Sequence, residues 1–455
     1  MAFLDENYLL SNASGARIFN AIKDLPVVDA HNHANVRELA ENRNYPDAWQ
    51  LFAGTDHYVW STMRRCGVPE EFITGNRSNR EKFFALAKVF PLMVGNPVYE
   101  WIHLDLRTLG IAKLLNEANA GEIYDRVNSV LARSDMKPLS ILKKLNVVAM
   151  CSTDDPCDTL EHHREVNAVW GSTLVRPTWR PDAAMNIAAP AWRDYMKRVS
   201  DRFGTKLNKL DDLFAALRQS HDFFAANNCV VSDHGVELIP GATADREAAD
   251  ATFRKALEGG GELSFAEIMN YQRAFMMFAA TLDIEKDWVF QLHFGASRNF
   301  RKCIYEKLGP DSGVDGGNFF QDQQPGMVDF LNATDGKLKT VLYCFDPNHL
   351  STVASTARAF SSKVRIGAPW WQCDNPIGMK RQLEYFGSVD LLNNCAGMVS
   401  DSRKLLSYGS RHEMFRRVLA DVLGTMAELG QAPYELLEAL AVRLSFEAPR
   451  QFFGI

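Results

Sequence analysis

Short apolar, β-branched runs recur along the chain, each ending in polar residues and most followed by a segment whose apolar positions repeat at helical spacing. Candidate strands by this pattern are Val27 to Ala30, Val147 to Ser152, Thr173 to Pro177, Cys229 to Ser232, Trp288 to Leu292, Thr340 to Phe345, Val364 to Ala368 and Ala396 to Ser400, eight in all. The clearest amphipathic helix runs from Arg411 to Leu429, where Phe415, Val418, Leu419, Val422 and Leu423 mark one face. Strands alternating with helices predict an α/β fold with a parallel sheet, and eight such units favour closure into a (β/α)8 TIM barrel. The rival, an open doubly wound sheet, would want a Gly-x-Gly-x-x-Gly turn after a strand, and the sequence has none.

One gap breaks the alternation. Well over a hundred residues separate the first two candidate strands, rich in helix formers and aromatics (EKFFALAKVF, VYEWIHLDL) and punctuated by Pro91, Pro97 and Pro138. The expected organisation is therefore a barrel built from residues 1–34 and 146–455, with residues 35–145 forming a helical insertion. Such an insertion would emerge at the C-terminal mouth of the barrel, where it could cap the active site and exclude water.

Composition narrows the function classes. The chain has 455 residues, 46% hydrophobic and 23% charged, with a net charge of -6, which argues against a nucleic-acid partner, since that would call for a basic face. Eight scattered cysteines without a CxxC pair fit reduced thiols and a cytoplasmic setting. The opening MAFLDENYLLSNASGARIF lacks a basic n-region followed by an apolar h-region, and no apolar run approaches the ~18 to 20 residues of a membrane span. No membrane partner is expected, and an anionic substrate would need local arginines.

Polar residues collect at the C-terminal ends of the candidate strands, where barrel active sites form. The first strand runs into VVDAHNHANV, in which Asp29, His31 and His33 point the same way along an extended backbone. Asp154 and Asp155 follow the second strand, Arg176, Arg180 and Asp182 the third, and Asp233 and His234 the fourth. His293 and Arg298 follow the fifth, Trp370 and Trp371 the seventh, and Asp401 and Arg403 the eighth. In a closed barrel the first and eighth strands are neighbours, so His31, His33 and Asp401 form a candidate three-ligand site for one divalent cation, open to water or substrate hydroxyls. The bland alternative for Asp401 is a helix N-cap. His293 is a fourth ligand, a donor to substrate or a packed structural residue. Arg180 and Arg403 have the planar fork that grips a carboxylate in two places, although Asp182 beside Arg180 offers a simpler pairing. Trp370 and Trp371 would stack on a sugar face or simply pack.

Taken together, these strings resemble the uronate isomerase (glucuronate isomerase) family of the amidohydrolase superfamily. The likeness runs nearly end to end and rests on LPVVDAHNH, GTDHYVWSTMRRCGV, NPVYEWIHLDL, CSTDDPCDTLEHH, RPTWRPD, SDHG, QLHFGASRN, GPDSGVDG, GMKRQLEYFG and GMVSDSRKLLSYGSRHEMFRR. DAHNHAN departs from the family's more usual DYHCHL, and Ser61 and the SYGSRHE stretch also differ from common forms. The resemblance implies reversible aldose–ketose isomerisation of hexuronates, D-glucuronate to D-fructuronate and D-galacturonate to D-tagaturonate. It implies that His31, His33 and Asp401 hold a divalent metal, commonly Zn2+, with Mn2+, Co2+ or Ni2+ accepted by the same donors. It further implies that His57 and Tyr58 reach the substrate from the insertion, that Arg180 binds it and that Arg403 sits beside the reacting carbons; the strand-end position of His293, Trp370 and Trp371 makes them further candidate substrate contacts. In the expected cis-enediol route Asp401 is the base, while Tyr58 and Arg403 move a proton between O1 and O2. The alternatives are a mononuclear metal-dependent hydrolase of the same superfamily acting on a sugar acid or lactone, and a sugar-binding protein on a decayed barrel. A homo-oligomer is compatible with all three.

Overall fold

The computed structural model describes residues 3–318 and 321–455 and shows an α/β fold built on parallel strands. In chain order the strands are β1 (Val27–Asp29), β2 (Val147–Cys151), β3 (Val175–Arg176), β4 (Val231–Val236), β5 (Val289–Phe294), β6 (Ala296–Ser297), β7 (Gly316–Gly317), β8 (Lys339–Cys344) and β9 (Val364–Ile366). Two parallel ladders carry the architecture, β1-β2-β3 and β4-β5-β8-β9, while β6 and β7 form a small antiparallel pair. Single bridges join Trp179 to both Asp154 and Ser232, which links the ladders, and Ile366 to Cys395. The Asp401 N–H donates to the His31 carbonyl at 3.2 Å and the His33 N–H to the Ser402 carbonyl at 3.0 Å, so the last polar segment lies along the end of β1.

β1 forms where Val27 and Val28 are buried on both faces, at 3% and 2% exposure, as expected of a strand covered by helices. Across the interior, Gln291 of β5 donates to the Ala30 carbonyl at 3.0 Å and accepts from the Tyr343 hydroxyl of β8 at 2.9 Å. These bonds satisfy a fully buried amide that would otherwise cost about 1–3 kcal/mol.

The expected strands differ most from the structure at the third and the eighth. The third shrinks to Val175–Arg176, because the Asn167 side chain takes the N–H groups of Leu174 and Val175 and donates to the Val175 carbonyl. Pro177, which follows, has no N–H to give a ladder. The eighth, Ala396 to Ser400, makes no ladder: the Ser400 N–H binds the Asp29 carboxylate and the Ser400 carbonyl accepts from Arg411. Conversely, β4 runs on through Asp233 and His234, which the sequence pattern places just beyond its end.

Between β1 and β2 every regular element is helical, among them Val36–Glu41, His57–Arg65, Asn79–Val89, Pro97–Thr108 and Ala120–Leu131, with loops between them. The predicted C-terminal helix is found as Ser407–Glu428, but it is buried nearly all round from Ser407 to Gly424, not on one face. Its guanidinium groups reach partners instead of water. Arg416 donates to the carbonyls of Lys23 and Pro26, and Arg417 to Glu413 and to the carbonyls of Glu6 and Tyr8. The helix crosses Ala13–Ile22 at backbone contact, since a Cβ on Gly424 would stand 2.2 Å from the Gly15 nitrogen. Among the described residues no helix is long and apolar enough to cross a membrane, and all eight cysteines are free thiols.

Candidate active site

His31 and His33 leave β1 on the same side, and each places its Nε2 3.1 Å from one oxygen, Oδ1, of Asp401. The ring centroids lie 5.2 Å apart, nearly perpendicular. Asp401 adopts φ 48°, a left-handed conformation that costs a non-glycine residue on the order of 1–2 kcal/mol and turns its carboxylate toward the two imidazoles. Its Oδ2 accepts a hydrogen bond from the Trp370 indole at 3.0 Å. Ligating atoms of His31, His33 and Asp401 fall within 4.8 Å of one another, close enough to hold one metal ion. The two-nitrogen, one-oxygen donor set suits a divalent transition metal.

A second carboxylate, Asp233, lies beneath this group and is fully buried. Its Oδ1 is 2.7 Å from His293 Nδ1, and its Oδ2 is 3.5 Å from His31 Nδ1 and 3.1 Å from an Arg180 nitrogen. His31, Asp233 and His293 also satisfy the geometry of a metal-binding trio, but the adjacent guanidinium already neutralises the carboxylate. Asp233 therefore reads as the group that orients both imidazoles, as carboxylates commonly do behind metal-binding histidines.

Charge states follow from this packing. Burial opposes ionisation of Asp401, but hydrogen bonds from His31 and His33 outweigh it and hold the carboxyl well below the usual range. Asp233 is likewise held well below that range, burial being overcome by Arg180, His293 and His31. For His31 burial favours the neutral ring, yet Asp233 and Asp401 together raise its pKa. His33 is pushed down to about 4, chiefly by desolvation, against the pull of Asp401.

The helix His57–Arg65 begins with Asp56 as N-cap, whose carboxylate accepts from the N–H groups of Tyr58 and Val59 and so fixes the first turn. That turn delivers His57 and Tyr58 to the mouth of the site. Their rings stack with centroids 5.3 Å apart, and His57 meets Trp371 edge-on at 5.0 Å. Burial pushes the His57 imidazole toward its neutral form, with Asp56 opposing and Arg403 reinforcing the shift. Lys404, next to Arg403, pairs with Asp56 at 3.0 Å and ties the helical segment between β1 and β2 to the segment carrying Asp401. The Arg403 guanidinium itself contacts Asp311 at 3.0 Å, which also holds Arg298 at 2.8 Å.

The sequence-predicted residues thus divide. His31, His33, Asp401 and Trp370 converge directly, and His57, Tyr58, Trp371 and Arg403 stand around them within electrostatic or ring contact. His293 is buried against Asp233, its ring stacked on Tyr343 at 4.4 Å. Arg180 is held by Asp182 at 2.8 Å and Asp233 at 3.1 Å. His234 turns the other way, stacked on Phe290 with its Nε2 2.9 Å from Ser232 Oγ. Asp154 pairs with His163 at 3.3 Å, and Asp155 with Arg198 at 3.4 Å. Arg176 caps the Asn228 carbonyl.

Residue-type reasoning overlooked Asp311, Asp374 and Arg411, each of which touches a site residue. The only signals were their positions in the strings GPDSGVDG, CDNP and SRHE. Asp233 carries a signal at the end of the fourth apolar run, but the structure places it inside β4, one residue past the Ser232 at which that run ends.

Comparison with known proteins gives a coherent result. The family model described as "Glucuronate isomerase" matches residues 1–453. The chain is 48% identical over 454 residues to a uronate isomerase of Thermotoga petrophila, covering 99% of this chain and 100% of that one. It is similar to the crystal structure of a uronate isomerase from Thermotoga maritima, with a TM-score of 0.97 at 47% identity and full coverage of both chains. The fold is also that of a glucuronate isomerase from Caulobacter crescentus, with a TM-score of 0.94 at 23% identity, covering 100% of this chain and 97% of that one.

Proposed function

The chain belongs to the glucuronate isomerase family, and from that premise we propose how its residues carry out the aldose–ketose isomerisation of a uronate. The observation that carries the reading is the convergence of two imidazoles on one oxygen of Asp401, at a mouth flanked by Tyr58 and Arg403.

His31, His33 and Asp401 are the groups that would hold the divalent metal. The fit is supported by the shared 3.1 Å approach of both Nε2 atoms to Asp401 and by Asp233 behind His31. Zinc is the first choice for a site with two imidazoles, with manganese, cobalt and nickel acceptable to the same donors. When bound, such an ion supplies Lewis-acid polarisation of substrate oxygen.

The chain's own groups move the protons. Asp401, ionised at neutral pH, takes the proton from C2; the electron pair forms the C1–C2 double bond of a cis-enediol, and charge moves to O1. Arg403 offsets that charge. Tyr58, whose hydroxyl burial and Asp374 keep protonated, relays the O2 proton to O1, and Asp401 returns its proton to C1. No atom is gained or lost. His57, Trp371 and Trp370 wall the site against water, and Arg180 and His293 shape its floor.

The strand order supports the finer architectural reading. Ladders linked at Trp179, the bridge at Cys395 and the Asp401–His31 bond together favour closure of the strands into a (β/α)8 barrel. Residues 35–145 then form the insertion that caps it. Eight scattered, unpaired thiols favour a cytoplasmic setting.

The test is turnover of D-glucuronate and D-galacturonate, followed as ketose formation, with and without a chelator. The reading expects ketose from at least one uronate. Release of an acid from a lactone, with no ketose from either uronate, would replace it with the hydrolase alternative.

A further inference from the structure

Tyr58 is not alone behind the substrate mouth. Its hydroxyl donates to Oδ2 of Asp374 at 3.1 Å, and the Gln372 backbone N–H approaches the same hydroxyl oxygen at 3.4 Å. Asp374 is 3% exposed and precedes the helix Pro376–Val389. Arg411, 1% exposed, donates one nitrogen to that same Oδ2 at 2.7 Å and to the carbonyl of Ser400 at 2.8 Å, one residue before Asp401. Its guanidinium lies 4.0 Å from the Trp101 ring centroid and 5.0 Å from that of Tyr58. The other oxygen of Asp374, Oδ1, is buried without a hydrogen-bond partner among the described residues.

This arrangement is expensive if it serves stability alone. Two buried charges lose hydration worth several kcal/mol each, and a well-packed apolar pair would hold the fold as well. What the pair accomplishes is directional. A phenol has one proton, and when that proton points at Asp374 the oxygen's lone pairs face away from it.

We propose that Asp374 and Arg411 are positioning residues for the isomerisation, which orient the Tyr58 hydroxyl so that it meets the substrate as a proton acceptor and returns the proton from the same oxygen. The inference rests on the reading of Tyr58 as the O1–O2 shuttle. As Tyr58 takes the proton of the substrate's O2 hydroxyl, its own O–H bond breaks toward Asp374 Oδ2. When the proton is delivered to O1, the one held on Asp374 goes back, so each oxygen gains and loses one proton. Arg411 holds the accepting carboxylate and, through Ser400, keeps Tyr58 in register with Asp401. Burial pushes the Asp374 carboxyl up to about 6, against the pull of Arg411, which suits a group that takes and returns a proton near neutrality.

The test is a double-mutant cycle on the full chain loaded with metal, reading kcat and KM for D-glucuronate in Tyr58→Phe, Asp374→Asn and the double variant. The paired variant Asp374→Asn with Arg411→Met removes both charges and covers the case in which a lone buried guanidinium prevents folding. Expected are losses in kcat of roughly 10- to 100-fold for each single variant, KM within about threefold, and a double variant no slower than Tyr58→Phe alone. The paired variant should match Tyr58→Phe. Losses that multiply, or an Asp374→Asn effect confined to KM or to the folded fraction, overturn the proposal. A slow Tyr58→Phe with a normal Asp374→Asn rejects the positioning pair and leaves the shuttle standing. A fully active Tyr58→Phe rejects the shuttle and the pair with it.

Discussion

Lys404 is a buried ammonium with two carboxylates for one charge: Asp56 at 3.0 Å and Asp105 at 3.9 Å, all three nearly inaccessible to solvent. Asp56 wins the pairing. Burial works against it, but Lys404 and Arg411 hold it below its ordinary value. Asp105 is left in excess, and burial pushes it from 3.8 up to about 6. Between those two values the folded chain binds more protons than the unfolded one, so stability is greatest below the unfolded value and falls as pH rises through 6. At ~1.4 kcal/mol per unit the accumulated cost at pH 7 is about 3 kcal/mol as an upper bound. Asp105→Asn removes it while leaving the Lys404–Asp56 pair intact. For a chain of this length ΔSm is on the order of 1 kcal/mol per kelvin, so the variant should melt up to ~3 °C higher than wild type at pH 7. The gain should shrink toward zero at about pH 4. Lys404→Met does the opposite: it strands two carboxylates and should cost about 3–5 kcal/mol. Differential scanning calorimetry across pH 4 to 8 measures both. If Asp105→Asn lowers the Tm at pH 7, Asp105 is an ionised partner of Lys404 and the reasoning fails.

Two further outcomes follow from the site. His33→Ala should cut bound divalent metal per chain by at least ~10-fold, read by elemental analysis, while Tm stays within a few degrees because His33 lies at the mouth. Gly313→Ala should lower both Tm and kcat/KM: at φ 78° a side chain is strained, and its Cβ would sit 2.6 Å from the His57 carbonyl, displacing the loop that carries Asp311 and the turn that carries Tyr58.

Sequence pattern makes the candidate metal trio legible because each member directly follows a short apolar run that ends in polar residues. His31 and His33 alternate off Val27 and Val28, and Asp401 follows GMVS. The eighth run, Ala396 to Ser400, is legible as a place, but the strand expected there forms no ladder. Gly397 takes φ 91° against Pro449, and side chains of Asp29 and Arg411 replace the ladder bonds at Ser400, none of which a periodicity reports. The pattern places Asp233 just past the end of the fourth strand, because the apolar run stops before a charge, whereas the structure carries the strand on through it. Burial of that charge is possible only because Arg180, His31 and His293 arrive from three other segments. The helix expected over Arg411 to Leu429 is present, but its burial on nearly every side departs from the amphipathic reading for the same reason. An arginine at an interior position looks solvent-facing until a distant carboxylate such as Asp374, or a free carbonyl, is found beside it.

The account rests on Asp401 as the group that moves the C2 proton. The most direct measurement uses D-glucuronate deuterated at C2, with wild type and Asp401→Asn compared by NMR for ketose formation and for the fate of the label. Wild type should release the label from C2, to C1 or to solvent, as ketose forms. The asparagine variant, folded by circular dichroism, should be slower by at least ~10²-fold and should leave deuterium on C2. Near-normal turnover and label loss in Asp401→Asn would contradict the assignment.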